Sequence, residues 1–143
     1  MAIRPENDLI SHRQARSRPG VIAVIALGGM IGATARFELA KALPADVGHF
    51  PWATFWTNIS GSFLLGFLMI LLLERPPRTR YLRPFLTTGV LGAYTTMSTY
   101  AVETALLLKD GHATIAGVYA LGTIAAGVVL VYAGMAFARR VSP

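Results

Sequence analysis

Residues 89–100 read Gly89-Val90-Leu91-Gly92-Ala93-Tyr94-Thr95-Thr96-Met97-Ser98-Thr99-Tyr100 and lie in the middle of an apolar stretch. Glycine costs about 1 kcal/mol relative to alanine in a helix interior, and threonine is β-branched, so this run is poor material for a plain membrane helix. In hydrocarbon every backbone N–H and C=O needs a partner; non-helical backbone survives only inside protein or beside a wet cavity. The stretch therefore predicts a helix broken around Gly92–Thr96, next to a site for something small and polar.

The surroundings are those of a membrane protein. The chain has 143 residues, enough for one domain; 54% are hydrophobic, 14% are charged and mean hydropathy is +0.53, a balance foreign to soluble domains. It has no cysteine, which excludes disulfides and thiolate metal sites. His12, His49 and His112 fall in the tail or in loops, and no His/carboxylate cluster has metal-ligand spacing. A P-loop, a dinucleotide fingerprint and a nucleophile elbow are all missing. The sequence gives no reason to expect an enzyme, and no catalytic residue is assigned. The net charge of +6 comes from residues that bracket apolar segments, which argues for membrane orientation over nucleic-acid binding.

A span needs about 20 apolar residues. Four segments qualify: Val21–Leu43, Trp52–Leu73, an interrupted Leu82–Leu108, and Ala113–Ala138. The expected fold is an all-α membrane protein of four transmembrane helices with the third broken, over 21–140, preceded by a polar basic tail over 1–20. The apolar start followed by Ala33-Thr34-Ala35 also has the layout of a secretory signal; its glycines, and the three-helix remainder it would leave, favour a span. Ten arginines (Arg4, Arg13, Arg16, Arg18, Arg75, Arg78, Arg80, Arg83, Arg139 and Arg140) lie on one side of this layout. Lys41 and Lys109 lie on the other, so both termini are expected in the cytoplasm.

Several polar residues fall inside spans. Thr54, Asn58 and Ser62, at i, i+4 and i+8, share one helix face. An interior asparagine is either helix–helix glue or pore lining; beside a broken neighbour the stripe favours a pore. Tyr119 and Thr123 repeat the spacing in the fourth span, where the threonine could instead bond its own i−4 carbonyl. Gly28/Gly32 and Gly122/Ala126 have small-xxx-small spacing for close helix packing. Arg36, about 23 Å along the first helix from Val21, is a snorkelling anchor or a charge at a vestibule mouth. Glu103 could pair with a cation, face water or hold a neighbouring helix. No acidic residue sits centrally in a span, which weakens a proton-coupled transporter; neutral donors suited to a small anion remain.

Three motifs in order resemble the bacterial fluoride channel family (Fluc, also called CrcB), over about residues 24–138. They are Gly28-Gly29-x-x-Gly32-Ala33-x-x-Arg36-Phe37, Thr54-x-x-x-Asn58-x-x-Gly61-Ser62, and Gly89-x-x-Gly92-x-x-Thr95-Thr96-x-Ser98-Thr99. The resemblance implies an antiparallel, dual-topology-type dimer with two fluoride pores, in the cell (inner) membrane, that passively exports fluoride and so lowers its cytoplasmic concentration. It implies a structural sodium ion on the dimer axis, held by backbone carbonyls at positions matching Gly92 and Thr95. Asn58, Met97, Ser98, Thr99, Tyr100, Tyr119 and Thr123 match pore positions, and Arg36 a vestibule position. The family usually carries phenylalanine where this chain has Met97 and Tyr100; an aromatic edge is positive and suits an anion, whereas a thioether has no such edge. The arginine bias departs from what a dual-topology homodimer needs and raises a heterodimer with an oppositely oriented sister chain. The alternatives are a four-helix proton-coupled multidrug exporter and a non-transporting membrane subunit.

Overall fold

In a computed structural model, residues 18–74 and 80–141 are described, and all regular structure among them is helical. Helix α1 is Arg18–Ala42 and α2 is Trp52–Glu74. Next comes α3, a π-helical segment Pro84–Leu91 running into one α-turn, Gly92–Tyr94. After an extended pair, Thr95 and Thr96, come α4, Met97–Lys109, and α5, Ala113–Val141. Helix α1 already contains residues 18–20 of the expected tail; the rest of that tail, with Arg4, Arg13 and Arg16, lies outside the described residues, as do Arg75 and Arg78.

Among the described residues, three helices are long and apolar enough to cross a membrane: Pro19–Ala42, Trp52–Leu72 and Ala113–Val141. The expected third span is divided at Thr95–Thr96 into pieces each too short to count alone. The interruption falls at the end of the expected stretch Gly92–Thr96, with Gly92–Tyr94 still helical. The wider π geometry before the break was not foreseen. Pro84 opens that segment, where its missing N–H costs no bond, and the Gly92 amide closes it onto Thr87 O, five residues back.

Close backbone approach sets the packing. A Cβ on Gly28 would meet the Phe85 carbonyl, and one on Gly32 the Val90 carbonyl, so α1 lies directly on α3. The contacts advance together, Gly20 on Tyr81, Gly28 on Gly89, Gly32 on Tyr94; α1 and α3 thus run in the same direction. Helices α2 and α5 are similarly joined: Gly127 faces Ser62, Gly66 meets the Val131 carbonyl and Gly134 the Phe63 carbonyl. The expectation for Gly28 and Gly32 holds. Gly122 makes no such contact within this chain, where a Cβ would meet nothing within 4 Å; the close approaches of α5 to α2 are at Gly127 and, two turns on, Gly134.

Tyr119 is fully buried in a small core with Leu107 and Ala116, walled by Phe50, Phe55, Tyr100 and Ile115. The Phe50 ring meets Tyr119 edge-on at 5.3 Å, an arrangement that aligns the positive edge with the negative face. This knot ties the start of α2 to α4 and α5 and fixes the lower half of the broken helix.

Candidate functional site

The break is held open by one side chain. Asn58 Nδ2 donates to Thr96 O at 3.0 Å, and the Thr96 amide donates to Asn58 Oδ1 at 2.9 Å. The carboxamide thereby pairs with both polar groups of one peptide residue, as a neighbouring strand would. Thr95 (φ −76°, ψ 156°) and Thr96 (φ −145°, ψ 125°) are extended. The amide that would close a helical turn onto Gly92 O is turned to Asn58 instead, which frees that carbonyl. The chain then restarts at once: Thr96 Oγ1 accepts from the Thr99 amide at 3.2 Å, an N-cap for α4, and donates to Thr99 Oγ1 at 3.0 Å. On the other side Gly61 lets α2 come against Thr95 and Tyr94, where any side chain would collide with the Thr95 methyl.

Two hollows flank this point and share Thr96. The first, a cleft of about 460 Å³, is lined by Asn58, Ser62, Met97, Tyr100 and Thr123 among others, with Gly92 and Thr95 on its wall. The second, also about 460 Å³, is lined by Arg36, Thr54, Thr99 and Glu103, with Phe37, Leu43 and Pro51 also on its wall. Four of the seven sequence-predicted pore residues thus gather on one cleft, and Thr99 and Arg36 face the other hollow. Ser98 is exposed and lines neither. Tyr119 also lines neither, being wholly enclosed.

The hydroxyls of the cleft are committed. Ser62 donates to Asn58 O at 2.8 Å, Thr95 to Leu91 O at 3.0 Å and Thr123 to Tyr119 O at 2.6 Å. The back-bonding that the sequence left open for Thr123 is what occurs. Tyr100 Oη donates across to Ala120 O on α5 at 2.9 Å, so its hydroxyl is committed as well. The Asn58 amide keeps a second N–H beyond the one given to Thr96.

Glu103, the residue with no settled role in the sequence, holds helix neighbours. Its Oε1 accepts from Thr54 at 2.9 Å and its Oε2 from Tyr119 at 2.6 Å, joining α2, α4 and α5. The signal was present but divided: Thr54 and Tyr119 are far apart in sequence, and only packing brings both to one carboxylate. Arg36 reaches the break, with Nη1 3.4 Å from Thr95 O. That is a long contact from a guanidinium that lines the second hollow, so it sits beside the break itself and not only at an outer interface.

A bundle of apolar helices, one of them opened by an asparagine clasp between two polar hollows, defines a membrane protein built around a broken helix. Residues 23–135 match the family described as CrcB-like protein, Camphor Resistance (CrcB), and the chain belongs to that family. Among curated relatives, fluoride-specific ion channel FluC 3 of Streptomyces avermitilis is 44% identical over 126 residues, 88% of this chain and 62% of the relative. FluC 1 of Streptomyces coelicolor is 41% identical over 88% of this chain and 82% of its own length. FluC of Prosthecochloris aestuarii is 39% identical over 87% and 97%. The chain spans less than two thirds of the first of these and most of the other two.

Proposed function

We propose that this chain is a subunit of a fluoride-specific ion channel that lets fluoride leave the cytoplasm passively. The observation that carries the reading is the Asn58 clasp on a broken helix, with an apolar cleft of uncharged donors beside it. The names of the relatives, fluoride-specific ion channels, point the same way. Fluoride is small and strongly hydrated, so a dry path must replace its water or the cost is prohibitive. Asn58 offers its remaining N–H. Ser62 and Thr123 can swing a hydroxyl from an i−4 carbonyl to the ion, since that carbonyl keeps its helical partner. Tyr100 offers a ring edge. None is charged, so the ion is solvated without being trapped. Met97, 74% exposed on the single chain, has no edge to offer; its place at the cleft is filled by a flexible apolar side chain.

Helices α3 and α4 in series form the fourth span: at roughly 1.5 Å per residue they exceed the ~30 Å of a bilayer core. An antiparallel second copy, or an oppositely oriented sister chain, would cover the exposed Met97 and the open cleft. The arginine bias supports a cytoplasmic position for both termini of this chain and so favours the sister chain. The carbonyls of Gly92 and Thr95 would hold a structural sodium ion on the axis between the two subunits. The donor set fits, because a hard cation wants oxygen ligands and an opened turn supplies them: the Gly92 carbonyl is released at the break, the Thr95 carbonyl takes one long contact from Arg36 and keeps its second lone pair, and a partner bringing the same two carbonyls would make four. Such an ion would make the local potential favourable to anions. Both oxygens of Glu103 already accept hydroxyl hydrogens, which leaves it poorly placed as the free carboxylate an exporter would need.

The test is fluoride efflux from liposomes holding the purified protein, read with a fluoride electrode. Rapid efflux that chloride does not match is expected; no efflux from well-folded protein overturns the reading. Tags on both termini report orientation: accessibility from one side only supports the sister-chain arrangement, and equal labelling from both sides supports a homodimer.

A further inference from the structure

The cleft has a second end. From Asn58 the inner face of α2 continues through Ser62, Leu65, Met69 and Leu72, at helical intervals of three and four. Leu65 and Thr87 line the large cleft, and both also line a smaller hollow of about 110 Å³, together with Met69, Leu72 and Arg83. The two volumes therefore adjoin along one face of α2, and the smaller lies where α3 begins, at the opposite end of α3 from the break and Arg36.

The lining of this end is otherwise apolar or spent. Leu65, Met69 and Leu72 have no polar group, and Thr87 gives its hydroxyl to Arg83 O at 2.9 Å. Of the nearby cations, Arg80 is engaged: its Nη2 donates to Tyr81 Oη at 2.8 Å and its guanidinium lies over the same ring at 5.0 Å. Arg83 is exposed and lines the hollow. Its guanidinium carries five N–H donors and a permanent charge, at the edge of a low-dielectric passage where a fixed charge acts most strongly on a passing ion.

We propose that Arg83 forms an anion-capture site at this second mouth, drawing a small hydrated anion to the end of the cleft away from Arg36. The proposal rests on the channel reading above. It places a cation at each end of an uncharged path: Arg36 beside the break, Arg83 where α3 starts. The same arginine that helps orient the chain also raises the local concentration of the permeant ion.

The experiment compares Arg83→Gln, Arg83→Lys and Arg140→Gln with the wild type in liposome fluoride efflux at low internal fluoride, in about 0.02 M and about 1 M background salt. Arg140 belongs to the same basic end but lines neither hollow, so it controls for general surface charge. Size-exclusion profiles and melting curves confirm folding of each variant. Arg83→Gln should slow efflux about threefold or more at low salt. The deficit should shrink at high salt, where the screening length is only about 3 Å. Arg83→Lys should keep most of the rate, and Arg140→Gln all of it. Equal rates for Arg83→Gln and wild type, or an equal loss in Arg140→Gln, would overturn the proposal. Absence of efflux from the wild type would remove the channel reading itself, and the capture site with it.

Discussion

Replacing Asn58 by alanine should open the third helix's most sensitive point. The substitution removes two hydrogen bonds, of 3.0 and 2.9 Å, to the amide and carbonyl of Thr96, a residue only 8% exposed. If water enters from the cleft and repairs both groups, the loss is the net worth of two bonds, about 1–3 kcal/mol. If the site stays dry, each orphaned backbone group costs about 1–3 kcal/mol, so about 2–6 kcal/mol in all. Half of the residues that line the cleft are leucine, valine, isoleucine or glycine, and the hydroxyls of Ser62, Thr95 and Thr123 are already given to backbone carbonyls, which favours the upper part of that range. Aspartate is a sharper probe. It keeps an acceptor for the Thr96 amide but sets a second oxygen against Thr96 O, turning attraction into repulsion, and it places a negative charge on the path of an anion. Melting in detergent and amide exchange at Thr96 report the clasp; fluoride efflux reports the path. Expected are a lower melting temperature and faster Thr96 exchange in Asn58→Ala, and abolished efflux in Asn58→Asp. An alanine variant that melts with the wild type and leaves Thr96 exchange unchanged would refute the clasp.

Three further outcomes follow from other contacts. Glu103→Gln keeps one carbonyl acceptor but presents an amide donor to Thr54 or Tyr119, which already donate; a loss of about 1–3 kcal/mol is expected in melting, and efflux with no pH gradient should persist in the folded fraction, whereas a requirement for a proton gradient would favour an exporter. Gly28→Val should prevent α1 from seating on the Phe85 carbonyl and yield little folded protein, while Gly122→Val, which meets nothing within 4 Å, should express and melt like the wild type; the reverse order would contradict the packing. Exchanging sodium for a bulky organic cation should lower the melting temperature of the assembled protein if Gly92 and Thr95 hold the ion, and no change at any sodium concentration would discard that assignment.

The helical membrane class, the starts of α2 and α5 and the location of the break were legible in the residues alone, whereas α1 begins at Arg18, before the expected Val21, and α5 runs on to Val141, past the expected Ala138. Those properties depend on local facts: runs of apolar residues matched to bilayer thickness, and glycine and threonine where a helix is least stable. Other features depended on contacts between distant segments. The stripe of Thr54, Asn58 and Ser62 looked like one lining. Packing instead sends Thr54 to Glu103, Asn58 to the Thr96 backbone and Ser62 to its own helix. Tyr119 had the spacing of a pore residue but is enclosed by aromatic rings from α2 and α4, since burial depends on what packs over a face and not on periodicity within it. Gly122 had the spacing for helix packing but meets no other helix of this chain, because the crossing of α2 and α5 is decided by Gly66, Gly127 and Gly134 together. The π geometry of Pro84–Leu91 and the junction of the two hollows at Thr96 belong to the tertiary structure alone. A backbone's preference is set by its own residues, but which hydroxyl, carbonyl or carboxylate meets it is set by helices brought together from elsewhere in the chain.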